Sequence, residues 1–233
     1  MKEQLQKDFD NTIKNLSLSQ KDIEIKKFSL DNFINKGFPN RKEEDWKFSD
    51  LNQIINKNIG ELSFYNDYTS TNKVDTSVFV DGLEHNKIVF INGRIEKIDF
   101  DYEKKGQIEI IDQSETINKF DNNNSLSDLN NAFTNKCFKI VIKTGYQLLK
   151  PLIIYHTTNS KIWSKNINLR LDFELQDDSC LRLIDLFNDT SEKNFLNIFY
   201  NFDLKENAVL KNYKVDKLEN KNIKYSFNNI EQD

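Results

Sequence analysis

Every second residue in the run Ile167, Leu169, Leu171, Phe173 and Leu175 is apolar, while Asn168, Arg170, Asp172, Glu174 and Gln176 between them are polar. Successive side chains on a strand point to opposite faces, so this pattern predicts a strand with one face in a core. The alternation continues through Leu196, Ile198, Tyr200, Phe202 and Leu204, and again in Ile223, Tyr225 and Phe227. A weak repeat underlies it. FELQDDSCLRLIDL from Phe173 aligns with FDLKENAVLKNYKV from Phe202 at an offset of 29, keeping the Phe, two Leu positions, an acidic turn and a small residue after it. IVIKTGYQL from Ile140 is a looser copy. Strand, acidic or Gly turn, then strand at a steady period predicts stacked coils. The expected fold is therefore mainly β, a parallel β-helix (β-solenoid) core, with a β-sandwich as the alternative. On this expectation Leu169, Leu171, Phe173 and Leu175 stack on Leu196, Ile198, Phe202 or Leu204 of the next coil.

The first sixty residues follow a helical period instead. Leu5, Phe9, Ile13 and Leu16 form one stripe. A second helix is expected from Ser29 as N-cap, with Phe28 and Phe33 as a hydrophobic staple, ending where Gly37 can adopt a left-handed conformation and Pro39 prevents resumption. Trp46 and Phe48 are apolar anchors in a charged stretch, and Trp46 is expected to be largely buried. Asn92-Gly93 between two apolar runs predicts a two-residue hairpin. One further helix is expected at Ser125 to Phe133, with Asp128 at capping-box spacing from Ser125. The chain thus divides into a small α-helical N-terminal region (1–60), a mixed α/β entry segment (61–135) and a β-helix core (136–233).

With 33 basic and 37 acidic side chains and a net charge of -4, the chain has no overall attraction for nucleic acid. No apolar run approaches the ~20 residues that span a bilayer, and the acid-interleaved N-terminus is unlike a signal peptide. Two cysteines, Cys137 and Cys180, lack the number and spacing of a disulfide framework. A cytoplasmic protein without membrane or nucleic-acid partners is expected.

Short catalytic strings carry little weight here. Ser70 and Lys73 in STNK, with Lys143-Thr144-Gly145, match penicillin-binding elements in letters only, since Ser70 lies in a polar linker. His85 and His156 stand at strand ends without a triad pattern. Asp177-Asp178-Ser179 reads as an acidic turn. No phosphate-binding loop is present among six glycines. Cys180 occupies the repeat position of Val209, which suggests packing, and two distant thiols fall short of the four that clusters usually take. No catalytic, cofactor-binding or metal residue is assigned.

The segment GFPNRKEEDWKFSDL, Gly37 to Leu51, resembles the signature of the SufB/SufD family of iron-sulfur assembly scaffolds, matching at Gly37, Pro39, Arg41, Glu44, Trp46, Lys47, Phe48 and Leu51. VFINGRIEKIDF and SLSDLNNAFTNKCFKIVIKTGYQLLKPLIIYH resemble two further family blocks in the same order, and the layout is most similar to the SufD branch. The resemblance implies a non-enzymatic scaffold with a parallel β-helix core after a helical region. Its partners would be a SufB-like subunit and a SufC-like ATPase, and it would hold no cofactor of its own. It also implies that the chain is an N-terminal portion of a longer scaffold. The end of the coils is then expected to present unpaired edges and an apolar cross-section that promote self-association. The alternatives are a generic interaction module or a β-helical carbohydrate-active enzyme, for which Arg170, Arg182, Asp172 and Asp185 are the residues that could be posed on an exposed face.

Overall fold

The computed structural model describes residues 2–14, 16, 18–64, 73–113, 124–134, 137–158, 162–189, 193–217 and 222–233. Its helices are α1 (Lys2–Lys14), α2 (Gln20–Lys36), α3 (Leu51–Asn58) and α4 (Ser125–Phe133). The strands are β1 (Ser63–Phe64), β2 (Asn86–Ile91), β3 (Arg94–Asp99), β4 (Ile108–Asp112), β5 (Cys137–Ile142), β6 (Leu152–Thr158), β7 (Lys165–Leu175), β8 (Cys180–Asp189), β9 (Phe195–Leu204), β10 (Val209–Lys217) and β11 (Ile223–Gln232).

The predicted stripe of α1 buries Leu5 and Phe9. The second helix begins well before Ser29. Its N-cap is Ser19, whose Oγ accepts from the Asp22 N–H at 3.2 Å, and Ser29 lies buried in mid-helix. A cap one turn ahead of Asp22 satisfies an orphan donor that Ser29 could satisfy only by breaking the helix. Phe28 is exposed, so no staple forms. Gly37 ends α2 at φ 76°, its N–H donating to Phe33 O at 2.7 Å. Helix α4 matches its predicted span, but its cap is Asn124, whose Oδ1 accepts from Leu126 N at 2.9 Å. Trp46 is only half-buried, its ring 6.0 Å from that of Tyr225, and Phe48 is 87% exposed. The charged stretch is thus pinned by one aromatic contact and not by two.

Strands β5 to β11 enter two sheets in alternation. One sheet has the order β11-β9-β7-β5-β4, with β1 beside β7, and the other β10-β8-β6-β2-β3. Within each sheet the repeat sets the register. Leu169 pairs with Ile198, Phe173 with Phe202 and Leu175 with Leu204 across β7 and β9, all in parallel. Cys180 pairs with Val209 across β8 and β10. The inward side chains of both sheets, among them Phe90, Ile154, Leu171, Phe173, Leu183 and Ile198, merge into one apolar core.

The mainly β, parallel β-helix expectation is corrected by this topology. The protein is α/β, built on two mixed sheets. Strand β3 runs antiparallel to β2, and β4 antiparallel to β5. The helices form a layer with a second core, in which Phe9, Phe33, Leu126 and Phe133 meet Phe195 and Phe199 of β9. The 29-residue offset encodes which residues pair within a sheet. Edges that reverse direction and a helical layer are long-range features on which a local period carries no information.

The reversal between β2 and β3 is the predicted Asn92-Gly93 turn, with φ of 53° and 79°. A Cβ at Gly93 would lie 2.8 Å from Ile167 Cγ2 of β7. Both the positive φ and the contact oppose a side chain. Gly93→Ala is expected to destabilise by about 1 to 3 kcal/mol, read as a lower urea midpoint with unchanged slope; an unchanged midpoint would mean that the turn does not pack on β7.

Candidate functional site

The inward positions of β8 read Leu181, Leu183, Asp185, Phe187, so the alternation that buries the strand also carries a carboxylate into the core. Asp185 is fully buried. Its Oδ1 accepts from Tyr200 Oη at 2.9 Å and lies 2.9 Å from His156 Nε2, which is itself 2.6 Å from Tyr200 Oη. Its Oδ2 lies 3.6 Å from Lys224 Nζ, which pairs with Asp216 at 2.6 Å. These groups come from β6, β8 and β10 of one sheet and β9 and β11 of the other. Burial alone would push the Asp185 carboxyl up, but the His156 ring, the Lys224 ammonium and the Tyr200 hydroxyl hold it well below the usual carboxylate range. Burial and then Asp185 raise the Tyr200 phenol well above its ordinary value.

Lys214, inward on β10, donates to Ser226 and Asn228 of β11. The inner face therefore turns from apolar to polar at its last strands, where Lys214, Asp216, Lys224, Ser226 and Asn228 replace Leu and Ile. The expected apolar cross-section is corrected accordingly. Lysines reaching across between β10 and β11 take the place of apolar contacts, Lys214 donating to Ser226 and Asn228 and Lys224 to Asp216.

A second cluster lies between the first sheet and the helices. Lys26 of α2 is fully buried and donates to Thr134 O at 2.6 Å and Asn131 O at 3.1 Å, carbonyls at the C-terminus of α4. Burial lowers its ammonium to about 7, with Asp22 opposing and Arg170 assisting. Arg170 Nε donates to Asp172 Oδ1 at 3.1 Å. Cys137 Sγ is 3.7 Å from Asp172 Oδ2, and burial followed by Asp172 pushes its thiol up to about 12. A buried thiol held protonated at neutral pH is a poor nucleophile.

Sequence-weighed residues are thus scattered. Cys180, half-buried, begins a strand of the other sheet from Cys137. His85 is buried, with Nε2 2.7 Å from Tyr155 Oη and Nδ1 2.6 Å from Leu83 O. Lys143-Thr144-Gly145 is a turn between β5 and β6, and Ser70 lies outside the described residues. Asp177 and Asp178 form an exposed turn, in which Asp178 Oδ1 accepts from Asn207 Nδ2 at 3.1 Å in the equivalent turn of the next repeat. Arg170, Asp172 and Asp185 are all buried, which removes the exposed constellation that a carbohydrate-active enzyme would need. From sequence alone His156 is only a strand end. Its partnership with Asp185 was signalled by an acid at an inward position of an otherwise apolar alternation. Among the described residues no group of three or more His, Cys, Asp or Glu is placed to hold a metal ion. No helix among them is long and apolar enough to cross a membrane.

Fold and clusters together define an α/β protein of two facing sheets under a helical layer, whose internal charges tie layers to one another. No protein-family model matches the chain, and no curated protein matches it.

Proposed function

We propose that this protein is a non-catalytic scaffold subunit, SufD-like, taking part in iron-sulfur cluster assembly in the cytoplasm within a SufB-SufC-SufD type complex. Its partners are a SufB-like subunit and a SufC-like ATPase. The observation that carries this reading is the use of ionisable groups. Most of those in the two clusters are enclosed and bond to other elements of the fold, while β10 and β11 each pair on one side only among the described residues. Such edges offer backbone donors and acceptors to an added strand, of a partner or of a second copy. The Gly37 to Leu51 block that resembles the family lies where the helical layer meets β11 through Trp46.

The test is co-expression with the SufB and SufC subunits of the same host, followed by affinity capture. The three chains are expected to elute together. The protein alone is expected neither to hydrolyse ATP nor to keep a visible charge-transfer band after incubation with iron, sulfide and reductant and then desalting. Failure to co-elute would overturn the assignment to this complex, and a persistent band near stoichiometric iron would overturn the non-ligating role.

A further inference from the structure

The outer face of the second sheet is covered in part. Val74, Phe79 and Val80, from the segment before β2, pack on Val89, Ile91, Ile153 and Tyr155. Phe79 lies with its ring 4.9 Å from that of Tyr155, and Val80 N–H donates to Tyr155 Oη at 3.0 Å. The covering segment, VDTSVFVDGLE from Val74 to Glu84, contains three acids and no base. Basic side chains lie beneath it, two of them shared with Asp99. Lys87 and Lys97 each lie 5.9 Å from the Phe79 ring centroid, and Lys150 pairs with Glu84 at 2.6 Å.

The same rows continue onto β8, where Leu186 is buried and Ile184 half-buried in that cluster, and end on β10, where they are exposed. Register places Ile153 beside Ile184 and Ile184 beside Tyr213, and Tyr155 beside Leu186 and Leu186 beside Val215. Tyr213 is 57% and Val215 41% exposed. The charged residues on this face of β8 and β10 are Arg182, Lys211 and Lys217, with no acid among them. The exposed outer face of β10 thus repeats the chemistry of the covered part: apolar side chains with an aromatic, framed by cations.

We propose that this exposed outer face of β10 docks an extended, apolar-aromatic segment with acidic flanks from a partner protein. The argument rests on continuity with the covered part and on charge, and is independent of the Suf reading. Val74 to Glu84 shows in the same molecule which occupant such a surface takes. The partner segment would lay its aromatic over Tyr213 and Ile184 and set its acids against Lys211, Lys217 and Arg182.

The probe is a fluorescein-labelled peptide VDTSVFVDGLE, titrated with the full chain and followed by anisotropy. Saturable binding is expected, weakening by about tenfold or more in the double variant Tyr213→Glu, Val215→Glu and falling with added salt. A version of the peptide with its three acids changed to Lys is expected not to bind. The variant's far-ultraviolet spectrum and melting check its fold, and the milder Tyr213→Ser, expected to weaken binding less, serves if the double variant fails to fold. No saturable binding, or binding that neither variant alters, would overturn the proposal. So would dimerisation through this face without peptide binding, which would give the surface to a second copy.

Discussion

Replacing Asp185 by alanine is expected to destabilise the fold by about 3 to 5 kcal/mol, the range for removing one partner of a buried ion pair. The side chain is fully buried. Its loss would leave the Tyr200 hydroxyl and the Lys224 ammonium without their shared acceptor. It would also leave the His156 ring without its carboxylate, all at the seam between the sheets. Asp185→Asn keeps the volume and some of the hydrogen bonds, so it should lose less. Acid dependence gives a second readout. The folded carboxyl is held below its unfolded value of about 3.9, so the unfolded chain binds the proton first as pH falls. The contribution of Asp185 is therefore full above about pH 5 and lost progressively below about pH 4. Urea midpoints measured from pH 3 to 7 should fall at the acid end for the wild type and more gently for Asp185→Asn. Equal midpoints for wild type and Asp185→Ala at pH 7 would show that the cluster does not hold the sheets together.

Lys26→Met is expected to destabilise by about 2 to 4 kcal/mol near pH 8, since it strands carbonyls of Asn131 and Thr134 in a dry interface. The figure lies below the sum of the lost bonds because the substitution also removes the cost of burying a polar amine. The pH signature has the opposite placement to that of Asp185. Burial lowers the folded ammonium to about 7, whereas the unfolded lysine titrates near 10.4. Between these values the unfolded chain binds more protons, so this residue makes stability rise with pH from about 7 to about 10. That rise should vanish in Lys26→Met. A wild type whose stability is flat over this window, or a variant as stable as the wild type, would mean that Lys26 does not cap α4.

Much of the local structure was legible. The Asn92-Gly93 reversal, the bounds of α4 and the end of α2 at Gly37 each rest on backbone conformations that few residues favour, and such preferences act within a few positions. The same holds for the alternation from Ile167 to Leu204, whose 29-residue offset became the pairing of Phe173 with Phe202. Where a nearby alternative competed, the local reading failed. Ser29 has the chemistry of a cap, yet Ser19 takes the role because α2 is long enough to bury Ser29 against its neighbours.

By itself, then, the sequence determined where the repeat strands, the Asn92-Gly93 turn and α4 lie and which residues of the repeat strands pair, because side-chain period and turn chemistry are local. Only the tertiary structure decided that the strands form two mixed sheets under a helical layer in place of a parallel β-helix. It alone joined His156, Asp185, Tyr200 and Lys224, residues from four strands in two sheets, into one cluster. Packing between distant segments sets those outcomes, and an inward Asp or Lys shows its partner only once the opposite sheet is in place.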